Sequence, residues 1–598
     1  MVDTNYYETK YKELIYPLYI PLKNNISDSD QILQHSYSIS DRIDLTHLEI
    51  YSIDPPNCED ADDAFSIHEM NNKLYLYIHI ADPTEYIELY SPLFNSIIEQ
   101  NVTRYPSFQT PIHLMPDKLV DIASLMENKD GNIKKAITIE IEINKNTYEP
   151  ENIIQLYFSI IKVKKENALS YRQASTLYNT NNTLNFCHKI STKMMEKRSI
   201  ATIGTILNNI NISYPVKENN QLYLYNDNQD EKNMKNMIAE FAIYTNSFIG
   251  NYLKTNLDGI GIFRTCNAQE WLQTIDRNIS GRELLNGIID NGITAEYLSE
   301  ISSHDLVGMP EYCHFTSPMR RATDCICHYL IKYIYFKNNG NNIEIPFEAS
   351  FLDHIANKSL IQHKKTKKTQ YLDNKFRIIQ VMAKMIHDNN NDNNNDKVIG
   401  QELENELEKE LRNDQNNNKI KITFRITKYS GMFLNVIICK INEKNIHLSY
   451  CLRLKINNYV HEPNTEHELF INHVNCITTY DENTLPELDL YIKNKFTEIA
   501  DYTNKFLVGT YKDTMDLFQK AVDSGIRSSF NPTPSNNDFS EYVIKEFHEH
   551  TIHRAVEYGY AGEYRYVFYL FRSKSKDSSK DGIIYYIWTH NNDVNVMQ

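Results

Sequence analysis

Alternation of apolar and polar residues marks several strands along the chain. Residues Ala136–Ile143 alternate strictly, and this period of two predicts a strand with one buried face and one exposed face. Short apolar runs of similar character predict further strands at Leu156–Val163, Lys419–Ile426, Leu434–Cys439, Ile446–Leu448 and Tyr564–Phe571. Strands are therefore expected in the first part of the chain and again towards its C-terminus.

Longer apolar segments between these strands predict helices. Met237–Leu253 is long enough for several helical turns, and Asp324–Tyr335 is apolar over most of its length. Weaker patterns predict a helix at Leu93–Ile98, another near Asp501–Val522 and a short strand at Gly259–Arg264. Helices and strands are mixed along the chain, and we predict an α+β fold.

An unusual concentration of acids lies between two predicted core strands. The strand Arg42–Ile53 leads into it, and the apolar run Leu74–Asp82 follows it. The acids are Asp54, Glu59, Asp60, Asp62 and Asp63. Carboxylates held close together repel one another, and a bound cation is the usual relief. Oxygen ligands without Cys or His favour Mg²⁺ or Mn²⁺ over Zn²⁺.

A solvated acidic turn is the alternative interpretation of these residues, because acid-rich turns are common. A calcium loop of the EF-hand type fits poorly, since Pro55-Pro56 stiffens the start and the last three aspartates are crowded together. The residues alone therefore leave a metal site and a solvated loop both open.

A second candidate motif, His314–Arg321, precedes the predicted helix at Asp324–Tyr335. Thr316 and Ser317 followed by Pro318 predict a helix start at this point. Helix N-termini attract phosphates, and two arginines stand beside this one. An ordinary capped helix with solvent-facing arginines is the alternative, and the motif taken alone favours it.

Composition divides the chain after about residue 385. Asn389–Asp396 is low-complexity and cannot bury a core, and Gln401–Leu411 predicts a short, solvated acidic helix. We predict an N-terminal extension at 1–40, a main domain at 41–385, an Asn-rich and acidic linker at 386–418, a small β-rich domain at 419–490 and a mixed α/β region of unknown role at 491–598.

Charge and targeting signals narrow the class of protein. The net charge of −16 over 598 residues argues against a passive nucleic-acid coat, although a local basic channel remains compatible with it. The nine cysteines include no CxxC pair, the N-terminus lacks a signal-peptide pattern, and no apolar window approaches a membrane span. We expect a reduced cytoplasmic protein without membrane contact.

Several ordered motifs together resemble the catalytic domain of the ribonuclease II family, the RNB domain. Asp54-x5-Asp60-x-Asp62-Asp63-Ala64 resembles its acidic signature, and His314–Arg321 with Asp324 is similar to its second signature. Further similar segments, in the family's order, are Ile78–Thr84, Thr103–Tyr105, Leu114–Pro116 and Ala168–Tyr171. The resemblance covers roughly residues 40–385 and implies a mixed sheet with surrounding helices.

The resemblance implies a hydrolytic 3′→5′ exoribonuclease that degrades single-stranded RNA to nucleoside 5′-monophosphates. It implies Mg²⁺ or Mn²⁺ held by Asp54, Asp60, Asp62 and Asp63, with Asp62 as the acid most critical for the chemical step. It also implies that Tyr105 stacks near the 3′-terminal base and that Arg320 holds the scissile phosphate. A stacking tyrosine accepts any base, which suits an exonuclease that is blind to sequence. Protein partners are unknown.

The chain also departs from the family pattern. Family members usually carry a Tyr directly after the two arginines, and Ala322 stands there in this chain. Members often carry two leading OB-fold modules, which about forty residues cannot hold, so we expect the chain to lack them. The segment from 419 is a candidate for a trailing OB fold. The basic runs Lys162–Lys165 and Lys364–Lys368 are candidate contacts to an RNA backbone, with solvated surfaces as the alternative.

Two other functions remain open at this stage. One is a catalytically inactive RNA-binding or scaffolding protein built on the same fold. The other is a nuclease that prefers DNA, because only contacts to 2′-OH groups distinguish RNA from DNA and the sequence does not locate them. Retention of the four aspartates and of Arg320 favours the active exoribonuclease.

Overall fold

The structure is a computed structural model that describes residues 4–20, 35–126, 133–395, 420–430, 433–446, 451–455, 466–471, 526–528, 554–561, 564–571, 583–590 and 596–597. The chain divides into two compact units. The central unit comprises Tyr19–Ile212 and Asn226–Gln370, and the terminal unit comprises Met1–Leu18, Ser213–Tyr225 and Tyr371–Gln598.

The helices of the described residues are α1 (Thr4–Leu14), α2 (Pro92–Gln100), α3 (Asp117–Ala123), α4 (Tyr171–Leu177), α5 (Asn182–Ala201), α6 (Gln229–Leu257), α7 (Gln269–Gln273), α8 (Gly281–Asp290), α9 (Ala322–Asn338) and α10 (Ala349–Asn395).

The strands up to residue 300 are β1 (Ile43–Asp44), β2 (Ile50–Asp54), β3 (Asp63–Met70), β4 (Lys73–Ala81), β5 (Ile133–Ile143), β6 (Pro150–Ser170), β7 (Tyr214–Glu218), β8 (Gln221–Tyr225), β9 (Phe263–Thr265) and β10 (Glu296–Leu298). Those further along the chain are β11 (Ile420–Ser430), β12 (Phe433–Ile441), β13 (Lys444–Asn445), β14 (Cys451–Lys455), β15 (Glu466–Ile471), β16 (Ile526–Ser528), β17 (Arg554–Ala561), β18 (Tyr564–Phe571), β19 (Ile583–His590) and β20 (Val596–Met597).

The main sheet of the central unit is mixed and closes through its longest strand. Its order is β1-β6-β2-β3-β4-β5, and β6 pairs with β5 as well. The first part of β6 runs antiparallel to β5, and its last part runs parallel to β2. The β3–β4 hairpin turns at Asn71 and Asn72, which both have positive φ as a tight two-residue turn requires. This sheet fixes both ends of the acidic stretch.

Helix α9 packs into the core of the central unit. Nearly all of its residues from Ala322 to Ile334 are buried, which is expected of a helix that is apolar on most sides. Its Ile326 and Leu330 join one hydrophobic cluster with Phe65, Ile78 and other side chains of the main sheet. The residues directly before α9 are therefore anchored on the same core as the acidic stretch.

The terminal unit assembles three separate parts of the chain. Its main sheet has the order β15-β11-β12-β14-β20, with antiparallel pairings, and a second sheet has the order β16-β17-β18-β19. Leu222 and Leu224 of the β7–β8 hairpin share a hydrophobic core with Ile378 and Met382 of α10 and with Phe424 of β11.

This assembly differs in kind from a division into continuous segments. Tyr11 of α1 donates a hydrogen bond to Asp373 of α10, so the N-terminal helix belongs to the core of the terminal unit. The domain boundaries predicted from the sequence, with a candidate OB fold at 419–490, stay predictions.

Most predicted elements have the predicted type, and the α+β class is confirmed. The strands predicted at Ala136–Ile143 and Tyr564–Phe571 are β5 and β18, and the helix predicted at Asp324–Tyr335 is α9. Three predictions differ in extent. The strand Arg42–Ile53 is interrupted between β1 and β2, β6 is far longer than Leu156–Val163, and α10 continues to Asn395 inside the predicted linker.

Two further boundaries have a local physical cause. The predicted strand at Gly259–Arg264 begins only at Phe263, because α6 ends in the left-handed residues Asp258 and Gly259. The predicted helices at Gln401–Leu411 and Asp501–Val522 lie outside the described residues. Within the part of the chain that is described, no helix has the length and apolar character needed to cross a membrane.

Candidate active site

The acidic stretch connects two neighbouring strands of the main sheet. Asp54 is the last residue of β2 and Asp63 is the first residue of β3, while Asp60 and Asp62 lie in the connection between them. Asp60 and Asp62 are buried, and the amide of Ala81 donates to the carbonyl of Asp62 at 2.8 Å. The alternative interpretation of a merely solvated turn is therefore wrong for Asp60 and Asp62.

Asp62 is bound by the motif that precedes α9. The backbone amide of Met319 donates to Oδ1 of Asp62 at 2.7 Å, and Nε of Arg320 donates to Oδ2 at 2.8 Å. Burial raises the pKa of Asp62, while the charge of Arg320 opposes that rise. The side chain of Arg320 is 46% exposed and that of Asp62 only 3%, so the guanidinium joins a buried carboxylate to the surface.

Arg320 is oriented from its other side as well. Its Nη2 donates to Oγ of Ser317 at 2.9 Å, within the same turn before the helix. The predicted helix start at Pro318 is wrong, since α9 begins at Ala322 and Ser317–Arg321 forms a hydrogen-bonded turn. The side chain of Asp324 accepts from the amide of Ser317 at 2.8 Å and thereby holds this turn against the helix.

Asp60 is bound by an aromatic residue and a histidine. The hydroxyl of Tyr105 donates to Oδ2 of Asp60 at 2.7 Å, and Nδ1 of His113 lies 3.7 Å from the same oxygen. Burial alone would raise the pKa of Asp60, but the contacts with His113 and Tyr105 lower it below its usual value. Tyr105 is 38% exposed, so its hydroxyl is fixed while part of its ring faces solvent.

Asp54 and Asp63 are the two carboxylates of the stretch whose pKa values are raised while neither makes an ion pair with Arg320 among the described contacts. Oγ of Ser52 donates to Oδ2 of Asp54 at 2.5 Å. Burial followed by the charge of Asp54 raises the pKa of Asp63 to about 7, and burial raises the pKa of Asp54 as well. The Tyr171 hydroxyl also has a raised pKa, caused by burial and then by the charges of Asp63 and Asp54.

The four aspartates fit a hard divalent cation only in part as they are arranged here. Among the described residues, no group of three or more His, Cys, Asp and Glu side chains is disposed to hold a metal ion. Asp62 is taken by Arg320 and Met319, and Asp60 by Tyr105. Asp54 and Asp63, by contrast, are half-buried acids, and the charge of Asp54 disfavours a second charge on Asp63, which a Mg²⁺ or Mn²⁺ ion would relieve.

Sequence reasoning missed several groups that the fold brings to these acids. His113 directly precedes the segment Leu114–Pro116, but nothing in the sequence indicates that this histidine contacts Asp60. Nε2 of His113 also lies 3.3 Å from Oε2 of Glu59, which is exposed. The contact of the Met319 amide has no sequence signal, because every residue except proline offers the same donor.

Arg321 and Ala322 are part of the packed structure before α9. Arg321 makes two hydrogen bonds to the carboxylate of Asp324, so the interpretation of a solvent-facing arginine is wrong for it. Ala322 is fully buried, and its amide donates to the carbonyl of Asn101 at 2.9 Å. The residue that departs from the family pattern is thus accommodated in a close contact between α2 and α9.

The two basic runs lie on different elements. Lys162–Lys165 is on β6, where Lys164 and Lys165 are exposed. In the second run, on α10, Lys364 lies 3.7 Å from Glu296, and all four lysines are exposed. Their contact with a nucleic-acid backbone stays a prediction.

An acidic cluster faced by a fixed arginine on a mixed α/β core is typical of enzymes that transfer or hydrolyse phosphoryl groups. Residues 42–337 match the RNB domain. The chain carries this domain and belongs through it to the ribonuclease II family.

Individual relatives agree with that assignment. Exoribonuclease 2 of Buchnera aphidicola (subspecies Schizaphis graminum) is 28% identical over 374 residues, which cover 54% of each chain. The chloroplastic and mitochondrial ribonuclease II of Arabidopsis thaliana is 22% identical, over 64% of this chain and 48% of its own length. The chain spans about half the length of the curated relatives it matches.

Solved structures share the fold at low sequence identity. The Mycoplasma genitalium RNase R in complex with ribose-methylated single-stranded RNA matches with a TM-score of 0.54 and 17% identity, over 73% of this chain and 71% of that one. Yeast Ssd1, described as a pseudonuclease, matches with a TM-score of 0.50 and 16% identity, over 70% of this chain and 52% of its own. At this identity the likeness concerns the fold.

Proposed function

We propose that the protein is a hydrolytic 3′→5′ exoribonuclease that removes nucleoside 5′-monophosphates from single-stranded RNA with the help of Mg²⁺ or Mn²⁺. The observation that carries the proposal is the contact of Arg320 with Asp62 across the acidic cluster. It joins the two halves of an RNB-type site, which are far apart in sequence, and it leaves the guanidinium partly exposed.

The residues of the chain divide the work of hydrolysis. Water attacks the last phosphodiester, the bond from phosphorus to the 3′ oxygen breaks, and the shortened strand keeps a 3′ hydroxyl. Arg320 holds the scissile phosphate and stabilises the negative charge that grows on it. Ser317 and Asp62 fix the guanidinium beforehand, so that little reorganisation is needed during the reaction.

Tyr105 would position the strand at its 3′ end. Its hydroxyl is tied to Asp60, and its partly exposed ring is available for stacking on a base. Stacking accepts every base, so this contact suits removal of nucleotides one after another regardless of sequence.

Asp54 and Asp63 would hold the cation, and Asp60 and Asp62 would add the oxygen lone pairs that their hydrogen bonds to Tyr105, Met319 and Arg320 leave open. When bound, the ion would polarise the phosphate and lower the pKa of a water molecule for attack. The donor set contains only carboxylate oxygens, which favours Mg²⁺ or Mn²⁺ over Zn²⁺. Asp62, buried between Arg320 and the other acids, is the acid on which we expect the chemical step to depend most.

A catalytically inactive RNA-binding protein is the second candidate. One structural neighbour is described as a pseudonuclease, and two of the four aspartates are bound to groups other than a cation. In that case the fold would bind RNA without hydrolysis, and the raised pKa of Asp63 would only record an unrelieved repulsion.

One assay separates these functions. Single-stranded RNA labelled at either end is incubated with the protein and Mg²⁺, and products are resolved on a gel. We expect mononucleotides from the 3′-labelled strand at once and a progressively shorter 5′-labelled strand. EDTA should abolish the reaction, and Zn²⁺ should not restore it. Binding without any shortening would favour the inactive protein, and equal decay of DNA would contradict the preference for RNA.

A further inference from the structure

Arg264 is a buried cation of the central unit, and none of the described carboxylates forms an ion pair with it. It lies in β9, is only 6% exposed, and its Nη1 has no hydrogen-bond partner among the described residues. Buried Arg42 and Arg198, in contrast, each pair with carboxylates, namely Asp82 and Glu85 or Glu240. A buried charge without a counterion is costly, so the position of Arg264 calls for an explanation.

The guanidinium of Arg264 contacts an aromatic ring and a histidine rather than a group of opposite charge. Its guanidinium carbon lies 4.6 Å from the ring centre of Tyr297, the residue opposite it in the β9–β10 pair. Its Nη2 donates to Nε2 of His363 at 3.2 Å, and Tyr297 in turn contacts the rings of His363 and His314. These contacts orient the guanidinium and leave its charge unneutralised.

A second cation, Lys367, acts electrostatically on Arg264 and His363. Lys367 follows His363 by one helical turn on α10, so both side chains lie on the same side of the helix. Burial and then the charge of Arg264 lower the pKa of Lys367, and burial with Arg264 and Lys367 lowers the pKa of His363 to about 3. His363 is therefore neutral, and because its Nε2 accepts from Arg264, its Nδ1 carries the proton and is a donor.

We propose that Arg264, His363 and Lys367 form a second phosphate-binding site of the central unit, which takes a phosphate of the RNA strand. A phosphate would supply the counterion that Arg264 lacks and would accept hydrogen bonds from Arg264, from Nδ1 of His363 and from Lys367. This inference rests on the proposed function, because RNA is its intended ligand. The same chemistry also admits the phosphate of a released mononucleotide.

This site is distinct from the contact that Arg320 makes with Asp62. Arg321, the residue after Arg320, is bound to Asp324. Burial is the main cause that lowers the pKa of Arg264 and of His363, and the charge of Arg321 adds to it. A strand held at both places would be fixed by two phosphates, which sets its direction as well as its position. The basic run of α10 then contributes through Lys367 specifically, and not as a diffuse charge.

The test compares two lysines of the same helix in the full chain. Lys367→Gln removes the proposed contact, and Lys365→Gln makes the same charge change on the opposite side of α10. Binding of a short fluorescein-labelled single-stranded RNA is measured in EDTA, so that no hydrolysis is needed, at several salt concentrations. We expect Lys367→Gln to bind several-fold more weakly with a salt slope lower by about 1, and Lys365→Gln to bind like the wild type.

A second readout identifies the source of the phosphate. The melting temperature is measured with inorganic phosphate and with AMP. Stabilisation of the wild type and of Lys365→Gln, but not of Lys367→Gln, together with unchanged RNA affinity, would assign the site to a free nucleotide. If Lys367→Gln matches Lys365→Gln in RNA affinity, in salt slope and in stabilisation by phosphate, the site does not exist.

Arg264→Gln provides an independent check, provided that its melting profile matches the wild type. It should lose as much RNA affinity as Lys367→Gln. The outcome does not depend on catalysis. RNA that is bound through Lys367 but never shortened would support this site and contradict the proposed hydrolytic function. Hydrolysis with unchanged RNA affinity in all variants would support the hydrolytic function and contradict this site.

Discussion

Arg320 donates its Nε hydrogen to Oδ2 of Asp62 at 2.8 Å, although the two residues are 258 positions apart in the chain. The pair brings the turn before α9 onto the connection between β2 and β3. Because Asp62 is buried and Arg320 is partly exposed, the arginine is fixed at one end and free to meet a ligand at the other. The shape of the Arg320 side chain, and not only its charge, should therefore matter for the reaction.

Arg320→Lys should lower the rate of RNA hydrolysis by at least about 100-fold, nearly as much as Arg320→Ala. Lysine keeps the charge but lacks the planar fork that contacts Asp62, Ser317 and a phosphate together. Arg172→Lys, in a half-exposed pair with Glu231, is the matched control and should retain activity. A lysine variant at position 320 with near-normal turnover would mean that Arg320 acts only as a diffuse charge.

Asp62→Asn should remove turnover, by about 100-fold or more, while single-stranded RNA still binds. The change keeps the size of the side chain but replaces one acceptor by an amide donor that faces Arg320 or the Met319 amide. Melting curves should show a loss of stability of about 1–3 kcal/mol. Asp121→Asn on the exposed side of α3 is the control. Wild-type turnover in Asp62→Asn would refute the assigned role.

Tyr105→Phe and Tyr105→Ala separate the hydroxyl from the ring. Phenylalanine retains the stacking surface and loses only the hydrogen bond to Asp60, so RNA affinity should be close to normal. Alanine should weaken RNA binding by about 1–3 kcal/mol. Titration of both variants with labelled RNA in EDTA measures the difference. Equal affinities for the two variants would show that the ring does not stack on the substrate.

The sequence is enough to locate the acids of the candidate site, whereas it does not specify the contacts around them. Asp54, Asp60, Asp62 and Asp63 occupy one short stretch, so a local pattern is enough to find them. The partner of Asp62 and the contact of His113 with Asp60 depend on tertiary packing, and no local pattern specifies them.

The dependence on tertiary packing also explains why the start of α9 and the grouping of distant segments could not be predicted. The residues Thr316, Ser317 and Pro318 have the composition of a helix start, but the turn they form serves to hold Arg320 and Asp324 instead. Likewise, Tyr11 contacts Asp373 only once the chain is folded, so the sequence could not show that α1 shares a unit with the part of α10 that begins at Tyr371.

The last prediction concerns Asp63 and the cation. Burial and the charge of Asp54 raise the pKa of Asp63 from 3.8 to about 7. Between these two pH values the folded protein keeps a proton that the unfolded chain has released. The free energy of unfolding should therefore fall as pH rises through this range when no metal is present. Asp63→Asn carries no charge and should not show that part of the fall.

In EDTA, Asp63→Asn should be more stable than the wild type above pH 7, by an amount of the order of a few kcal/mol, and the difference should vanish towards pH 4. Mg²⁺ should reverse the order, because it binds the folded wild type and relieves the repulsion between Asp54 and Asp63. The measurement is a set of thermal melts across pH with EDTA or Mg²⁺, with Asp121→Asn as the control for loss of a surface carboxylate. Parallel pH profiles for Asp63→Asn and the wild type in EDTA would show that Asp63 is not strained. Equal stabilisation of both by Mg²⁺ would place the cation elsewhere.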